Sequence, residues 1–400
     1  MNLLNPVRVE VGLERCLKAP PQLLASGAKF GLLMNQASVT GDYRYACEVL
    51  DERFPHQLVS LFSPQHGLWC EQQANMIESQ HAVHPRLGLP IYSLYADSRE
   101  PTHDMLQGLD VLVIDLQDVG TRVYTFIWTV VNCLRACKSQ AIPVVLLDRP
   151  NPIGGDTVEG PILESDFRSF VGLADIPMRH GLTLGELAQF CNTSLDIHAE
   201  LEVVPLSDWQ RSLHLTQTTA PWCPPSPNMP RYSTALVYPG QVLIEGTNLS
   251  EGRGTTTPFE VVGAPFIDSE RLAIELNTAQ LEQGTSSGVY FRPLRFVPTF
   301  DKWVGQSCGG VFIHPTDLRQ FRSYAATIEI LRIIKRLYPS EFAWLPPPYE
   351  YEFDKPPIDI LSGSDRLRTA LDARDDRAIR ACISVDTAAW LTSTESIRIY

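Results

Sequence analysis

The chain has 400 residues, 44% of them hydrophobic, and 33 Lys and Arg stand against 46 Asp and Glu for a formal charge of −13. That length and apolar fraction suit two globular domains of roughly 100–200 residues each and exclude wholesale disorder or a collagen-like repeat. The acidic balance, with no Lys/Arg run, leaves no footprint for nucleic-acid phosphates and argues against an anionic membrane surface.

No stretch reaches the roughly 20 apolar residues that cross a bilayer. The opening segment, MNLLNPVRVEVGLERCLKAP, is broken by Asn5, Pro6 and Arg8 and does not read as a signal peptide. Nine cysteines (16, 47, 70, 133, 137, 191, 223, 308 and 382) are scattered and odd in number. They read as reduced thiols of a cytoplasmic protein rather than a disulfide framework or zinc ribbon. The sequence carries no signal for oligomeric state.

Along the chain, apolar runs at 30–35, 58–62, 111–115, 143–148 and 201–204 read as strands, continuous rather than alternating. Such runs suit strands buried on both faces of a parallel sheet. Helical patterns at 125–138 and 182–190 lie between them, the second with Thr183 as N-cap and Glu186 three residues on. The expected class is α/β: a Rossmann-like open, mostly parallel sheet with helices on both faces over residues 1–264. A smaller C-terminal α+β domain, 265–400, is expected to close a cleft. Its elements are a helix at 269–283, a strand at 289–296, the run Gly-Gly-Val-Phe-Ile-His at 309–314 and a helix near 324–337. Pro346-Pro347-Pro348 reads as a rigid connector to a polar helical tail.

The strand ends deliver unusual loops: Asn35-Gln36, then Ser63-Pro64-Gln65-His66-Gly67, then Asp115 with Gln117, Asp118 and Gly120, then Asp148-Arg149-Pro150-Asn151. In open α/β sheets the ligand crevice lies there. Residues 224–258, rich in Pro and Gly, read as a long irregular wall of the same cleft. Neither G-x-G-x-x-G after the first strand, nor a P-loop, nor G-x-S-x-G, nor H-E-x-x-H occurs. Asp115, Asp118 and Asp148 could hold Mg²⁺ in a phosphoesterase, although orienting an Arg or capping a helix is the preferred reading of Asp115 and Asp148. Carboxylate chemistry remains. Glycoside hydrolysis needs one protonated and one ionised carboxyl about the scissile oxygen, and Glu71, Glu78, Glu159, Glu245 and Glu251 all fall in cleft segments. Gln65, Gln117, Asn151, Asn228 and Asn248 offer the mixed donors and acceptors that sugar hydroxyl and acetamido groups require. Trp69, Tyr95 and Tyr124 could stack on a pyranose face.

The motifs LFSPQHGLW, DVLVIDLQDVGTRVYTFIWT, DRPNPIGGDTVEGP, SFVGLADIPMRHGLTLGELA, PSPNMPRYSTALVYPG, EGTNLSEGRGTTTPFEVVGAP and FRPLRFVPTFDKW resemble the NamZ-like exo-β-N-acetylmuramidases. The likeness runs from about residue 31 to 400. It implies a Rossmann-like catalytic domain, a smaller C-terminal domain and release of terminal N-acetylmuramic acid from peptidoglycan fragments, with no metal or cofactor. The expected partner is a small muramyl sugar or muropeptide. Where the family reads Pro-Glu-His-Gly this chain has Pro64-Gln65-His66-Gly67, so an acid role at that position is lost or moved, with Glu71 one alternative. The resemblance implies a pair of catalytic glutamates, expected here at Glu78 and Glu159. A muramyl lactate needs a cation, for which Arg122, Arg149, Arg179 and Arg253 are candidates. Gln65, His66, Glu71, Gln117, Asp118, Tyr124, Asn151, His180, Asn228, Glu245 and Asn248 complete the expected substrate-binding set. The Gln65 departure also admits a sugar-binding protein without turnover, or a glycosidase of shifted specificity.

Overall fold

The structure is a computed structural model that describes residues 5–73, 77–283 and 288–400. Seven strands form the main sheet: β1 (Phe30–Met34), β2 (Leu58–Ser63), β3 (Ala82–Val83), β4 (Pro90–Ser93), β5 (Val111–Asp115), β6 (Val144–Leu147) and β9 (Leu201–Val204). Their order is β3-β4-β2-β1-β5-β6-β9, parallel throughout except for the β3–β4 edge pair. The chain winds outward from β1 to β2 and β4, then restarts beside β1 with β5. That reversal is the topological switch point of a doubly wound sheet.

The apolar runs form these strands because both faces are covered. In β5, Val111 and Val113 enter one core cluster with Leu32 and Met34 of β1, while Leu112 and Ile114 enter the other with Leu33. Side chains alternate across a strand, so a continuous run feeds two cores at once. Helices Gly12–Lys18 and Ala46–Arg53 cover the first face and Phe126–Ser139 and Leu184–Ser194 the second. Helix Leu184–Ser194 starts as its sequence predicts. Thr183 Oγ1 accepts from the Glu186 amide, and the Glu186 carboxylate accepts from the Thr183 amide.

Between β6 and β9 lies a hairpin of β7 (Glu159–Ile162) and β8 (Pro177–Arg179). A second sheet has the order β10-β12-β11, with β10 (Val261–Ala264), β11 (Val289–Phe296) and β12 (Cys308–Pro315) antiparallel. Strand β10, grouped by its sequence with the first 264 residues, thus pairs with the C-terminal strands. Segment 224–258 is not irregular throughout: it holds helix Tyr232–Gln241, with Pro239 inside it, and the 3₁₀ turn Val242–Gly246. Helix Ser323–Leu337 packs against that helix. The tail returns to the main sheet, where the Tyr400 hydroxyl donates to Asp148 Oδ2 at 2.8 Å and accepts from the Leu206 amide. Among the described residues no helix is long and apolar enough to cross a membrane.

Candidate active site

The strand-end loops and segment 224–258 meet over the switch point. Asn35 Nδ2 donates to the Pro225 carbonyl at 2.8 Å and Gln36 Nε2 to that of Pro224 at 2.9 Å. The two amides that end β1 therefore tie down the proline-rich segment. Beneath it lies a cavity. The loop after β2 contributes Gln65 and His66, and the stretch leading into helix Phe126–Ser139 contributes Tyr124 and Thr125. The C-terminal half contributes Tyr238, Glu245, Arg253, Phe259, Tyr349 and Glu350, and Asn228 closes the rim.

Glu245 and Glu350 are the carboxylates of this lining, and their settings differ. Glu245 accepts from Arg253 Nη2 at 2.7 Å and from the Tyr349 hydroxyl at 2.7 Å. The buried Arg253 guanidinium also pairs with Glu251 at 3.1 Å. Burial works against the Arg253 charge, but the two carboxylates outweigh it and hold the group firmly protonated. Glu350 accepts from the Tyr95 hydroxyl at 3.0 Å and hydrogen-bonds Gln65, whose own carbonyl accepts from Thr125 Oγ1 at 2.6 Å. Burial pushes the Glu350 carboxyl up to about 7 and the neighbouring Glu245 charge adds to this, against hydrogen bonds from Tyr95 and Gln65. His66 is held down at about 4 by burial, so its ring is neutral. Its Nδ1 lies 2.6 Å from the Gln72 carbonyl and must donate there, leaving Nε2 as the acceptor. Three lining residues have backbones in the left-handed region: His66 (φ 76°), Phe259 (φ 61°) and Glu350 (φ 45°). Such strain gathers at functional sites, where surrounding structure enforces it. A second recess opens on the other side of Glu245, Arg253 and Tyr349 and reaches Asp301 and Lys302.

Of the residues expected from sequence, Gln65, His66, Tyr124, Asn228, Glu245 and Arg253 meet in this cavity. The rest are placed elsewhere, and most are committed to holding the loops. Glu159 is buried outside the lining, with Oε1 accepting from Arg179 Nη1 at 2.7 Å and Oε2 from the Tyr324 amide at 3.0 Å. Glu78 is exposed and pairs with Arg99 at 3.6 Å. Glu71 is also exposed, its carboxylate packed near Gly67. Arg149 forks onto Asp115, Nε to Oδ1 at 2.5 Å and Nη2 to Oδ2 at 2.8 Å. Asp148 accepts from Thr183 Oγ1, the Gly185 amide and the Tyr400 hydroxyl. Both aspartates thus take the orienting and capping roles preferred from sequence. Arg122 spends its guanidinium on the carbonyls of Pro161, Ile176 and Leu361. Gln117 donates to the carbonyls of Asp118 and Pro150, Asn151 to that of Leu182 and Asn248 to that of Glu341. Asp118 accepts from the Gly120 amide at 2.7 Å and lies 3.9 Å from His180. Burial holds His180 neutral, down at about 3, so that contact is not an ion pair.

Sequence reasoning passed over Tyr349 and Glu350, which sit directly after the Pro346-Pro347-Pro348 connector. The signal was there, a glutamate between two tyrosines beyond a stiff run.

Comparison with known proteins places this architecture. Residues 30–233 match the N-terminal and residues 236–400 the C-terminal family model of "Exo-beta-N-acetylmuramidase NamZ". The boundary between the two models puts β10 on the C-terminal side, where it pairs. The peptidoglycan β-N-acetylmuramidase NamZ of Bacillus subtilis (strain 168) is 41% identical over 365 residues, covering 91% of this chain and 84% of that protein. Two crystal structures of DUF1343 family proteins from Bacteroides fragilis NCTC 9343 share the fold. One has TM-score 0.86 at 30% identity and the other 0.72 at 26%, each covering 98% of this chain and 99% of its own. With both halves matched in order and the strand-end cavity built from both, this chain belongs to the NamZ exo-β-N-acetylmuramidase family.

Proposed function

We propose that the protein is an exo-acting glycoside hydrolase that releases terminal N-acetylmuramic acid from peptidoglycan fragments, with the sugar seated in the cavity of Gln65, His66, Glu245, Arg253 and Glu350. The observation that carries this reading is the pair of cavity carboxylates, one clamped by a guanidinium and one raised toward neutrality, in a chain of this family. Glycoside hydrolysis requires one carboxyl that keeps its proton and one that stays ionised. Gln65, Asn228 and the neutral His66 supply donors and an acceptor for hydroxyl and acetamido groups. Of the four arginines considered for the lactyl carboxylate, Arg253 is the one in the lining, and it is the proposed partner. Glu159 and Glu78 then act at one remove: Glu159 fixes Arg179 and the start of helix Ser323–Leu337, and Glu78 orients Arg99. The enzyme is proposed to act in the cytoplasm, the compartment for which scattered cysteines in an odd number read as reduced thiols.

The test is release of N-acetylmuramic acid from a chromogenic β-N-acetylmuramide and from a muramyl-terminated disaccharide, with binding followed in parallel. Turnover by the wild-type protein is expected, with kcat falling less than about tenfold in Glu78→Gln, a group outside the reacting pair. Binding without turnover would select the non-catalytic sugar-binding reading, and turnover only of other glycosides the shifted-specificity reading.

A further inference from the structure

We propose that Glu350 is the acid that protonates the leaving-group oxygen, presented by a strained two-residue turn, and that Glu245 is the ionised carboxylate facing the anomeric carbon. This rests on the glycosidase reading above and assigns its two roles.

The turn is the first observation. Tyr349 and Glu352 exchange both backbone hydrogen bonds, each at 2.9 Å, and the two residues between them, Glu350 and Tyr351, have φ of 45° and 68°. A two-residue hairpin loop with both φ positive favours Asn-Gly or Asp-Gly. Glu-Tyr gives the turn nothing, and left-handed backbone strains a side-chain-bearing residue. Something other than turn chemistry keeps these residues. For Tyr351 it is Arg99, which donates to its hydroxyl at 2.6 Å and lies over its ring at 4.8 Å. Glu350 points instead into the cavity, where the Tyr95 hydroxyl and Gln65 hold its carboxyl.

Second, the groups around Glu350 set its proton in balance: burial and the Glu245 charge favour keeping it, whereas Tyr95, Gln65 and Arg99 favour releasing it. Tyr95 and Arg99 face it from the loop after β4, Gln65 from the loop after β2, Glu245 from the 3₁₀ turn, Tyr238 from its helix and Tyr349 from its own hairpin. Gln65 is an amide and cannot compete for the proton. Arg253 and Tyr349 clamp Glu245 from two sides, a guanidinium and a hydroxyl both donating to its carboxylate. Two nearby carboxyls in unlike settings divide into acid and anion.

The step balances with water alone. Glu350 passes its proton to the glycosidic oxygen, and the C1–O bond breaks with its electron pair on that oxygen. Positive charge at C1 is met by the Glu245 carboxylate. Water adds its hydroxyl to C1, and its remaining proton goes to one of the two carboxylates, restoring the starting charge.

The experiment compares leaving groups. Wild type, Glu350→Gln, Glu245→Gln and Tyr95→Phe are assayed on a muramyl disaccharide and on a nitrophenyl N-acetylmuramide, whose leaving group needs no proton. Glu350→Gln should lose roughly 10²–10⁴-fold in kcat on the disaccharide but less than about tenfold on the nitrophenyl substrate. Glu245→Gln should lose comparably on both. Wild-type activity on the disaccharide should fall as pH rises through about 7, where the acid ionises, and that limb should be absent from the wild-type profile on the nitrophenyl substrate, whose leaving group needs no proton. The Tyr95 bond stabilises the ionised carboxyl, so Tyr95→Phe should move the limb to higher pH, a shift that loss of packing alone would not give. Equal loss of both substrates in Glu350→Gln, or no loss, overturns the assignment while leaving the glycosidase reading intact. A wild-type protein inactive on both overturns the two together.

Discussion

Arginine, aspartate and asparagine at strand ends serve the scaffold more often than the sugar in this protein. Arg149 forks onto Asp115 and Arg122 donates from Nη1 and Nη2 to three carbonyls, so both buried guanidinium groups are turned to the scaffold, with Arg122 Nε left without a partner among the described residues. At Asp118 incomplete pairing has a measurable consequence. Its Oδ2 is buried with no hydrogen-bond partner, and burial raises its carboxyl from 3.8 to about 7, against hydrogen bonds from the Gly120 and Val119 amides. The folded state therefore binds the proton more tightly than the unfolded chain does. Its stabilising contribution is full below about pH 3.8 and is lost as pH climbs through about 7. Asp118→Asn, which cannot ionise, should match wild type in unfolding free energy near pH 4 and exceed it near pH 8, by on the order of 4 kcal/mol. Equal stability at pH 8 would mean that Asp118 ionises freely there. From sequence alone Asp118 and Arg122 look like ligand-binding groups, because burial and partners decide their role and neither is visible in a residue's identity.

Close contact between elements explains which glycines and prolines the fold can use. Helix Tyr232–Gln241 crosses helix Ser323–Leu337 at Gly240, where an added Cβ would sit 2.1 Å from the Ser323 carbonyl oxygen. The Gly240 amide also donates to Ser323 Oγ at 2.9 Å. Gly240→Ala must push the two helices apart and should cost about 1–3 kcal/mol, read by urea unfolding. Since the 3₁₀ turn that carries Glu245 follows directly, the same variant should raise KM; an unchanged midpoint would show that the helices separate freely. Strands β1, β2, β5 and β6 were legible because each feeds two cores with an apolar run, whereas the short parallel strand β4 (Pro90–Ser93) was passed over, and helices 269–283 and 324–337 were legible because their periodicity is regular. Helix Tyr232–Gln241 was not legible, since Pro239 and Gly240 break its pattern and only packing against Ser323–Leu337 holds it. The Glu350 turn was hidden for a related reason. Its positive φ angles are enforced by the Tyr349–Glu352 pairing and Arg99, whereas a reader of sequence looks for Asn-Gly.

At the scale of the molecule, the cavity exists only where the two halves meet. Gln65, His66 and Tyr124 come from the first family segment, and Glu245, Arg253 and Glu350 from the second. One core cluster runs through both: Ile114 and Trp128 of the sheet unit share it with Leu243, Phe291 and Ile330. The chain ends cross as well, with Arg122 donating to Leu361 and Tyr400 to Asp148. Units joined by a continuous apolar core and buried hydrogen bonds unfold together, because opening the seam strands polar groups in both. Far-ultraviolet dichroism and tryptophan fluorescence should therefore report one coincident denaturation transition. N-acetylmuramic acid, if seated as proposed against both halves, should move the whole transition by RT ln(1 + [L]/Kd), about 2.7 kcal/mol at a hundredfold excess over Kd. Two separated transitions, with the sugar shifting only one, would mean that one half binds it alone, and the paired roles of Glu245 and Glu350 would then lose the cavity that joins them to Gln65 and His66.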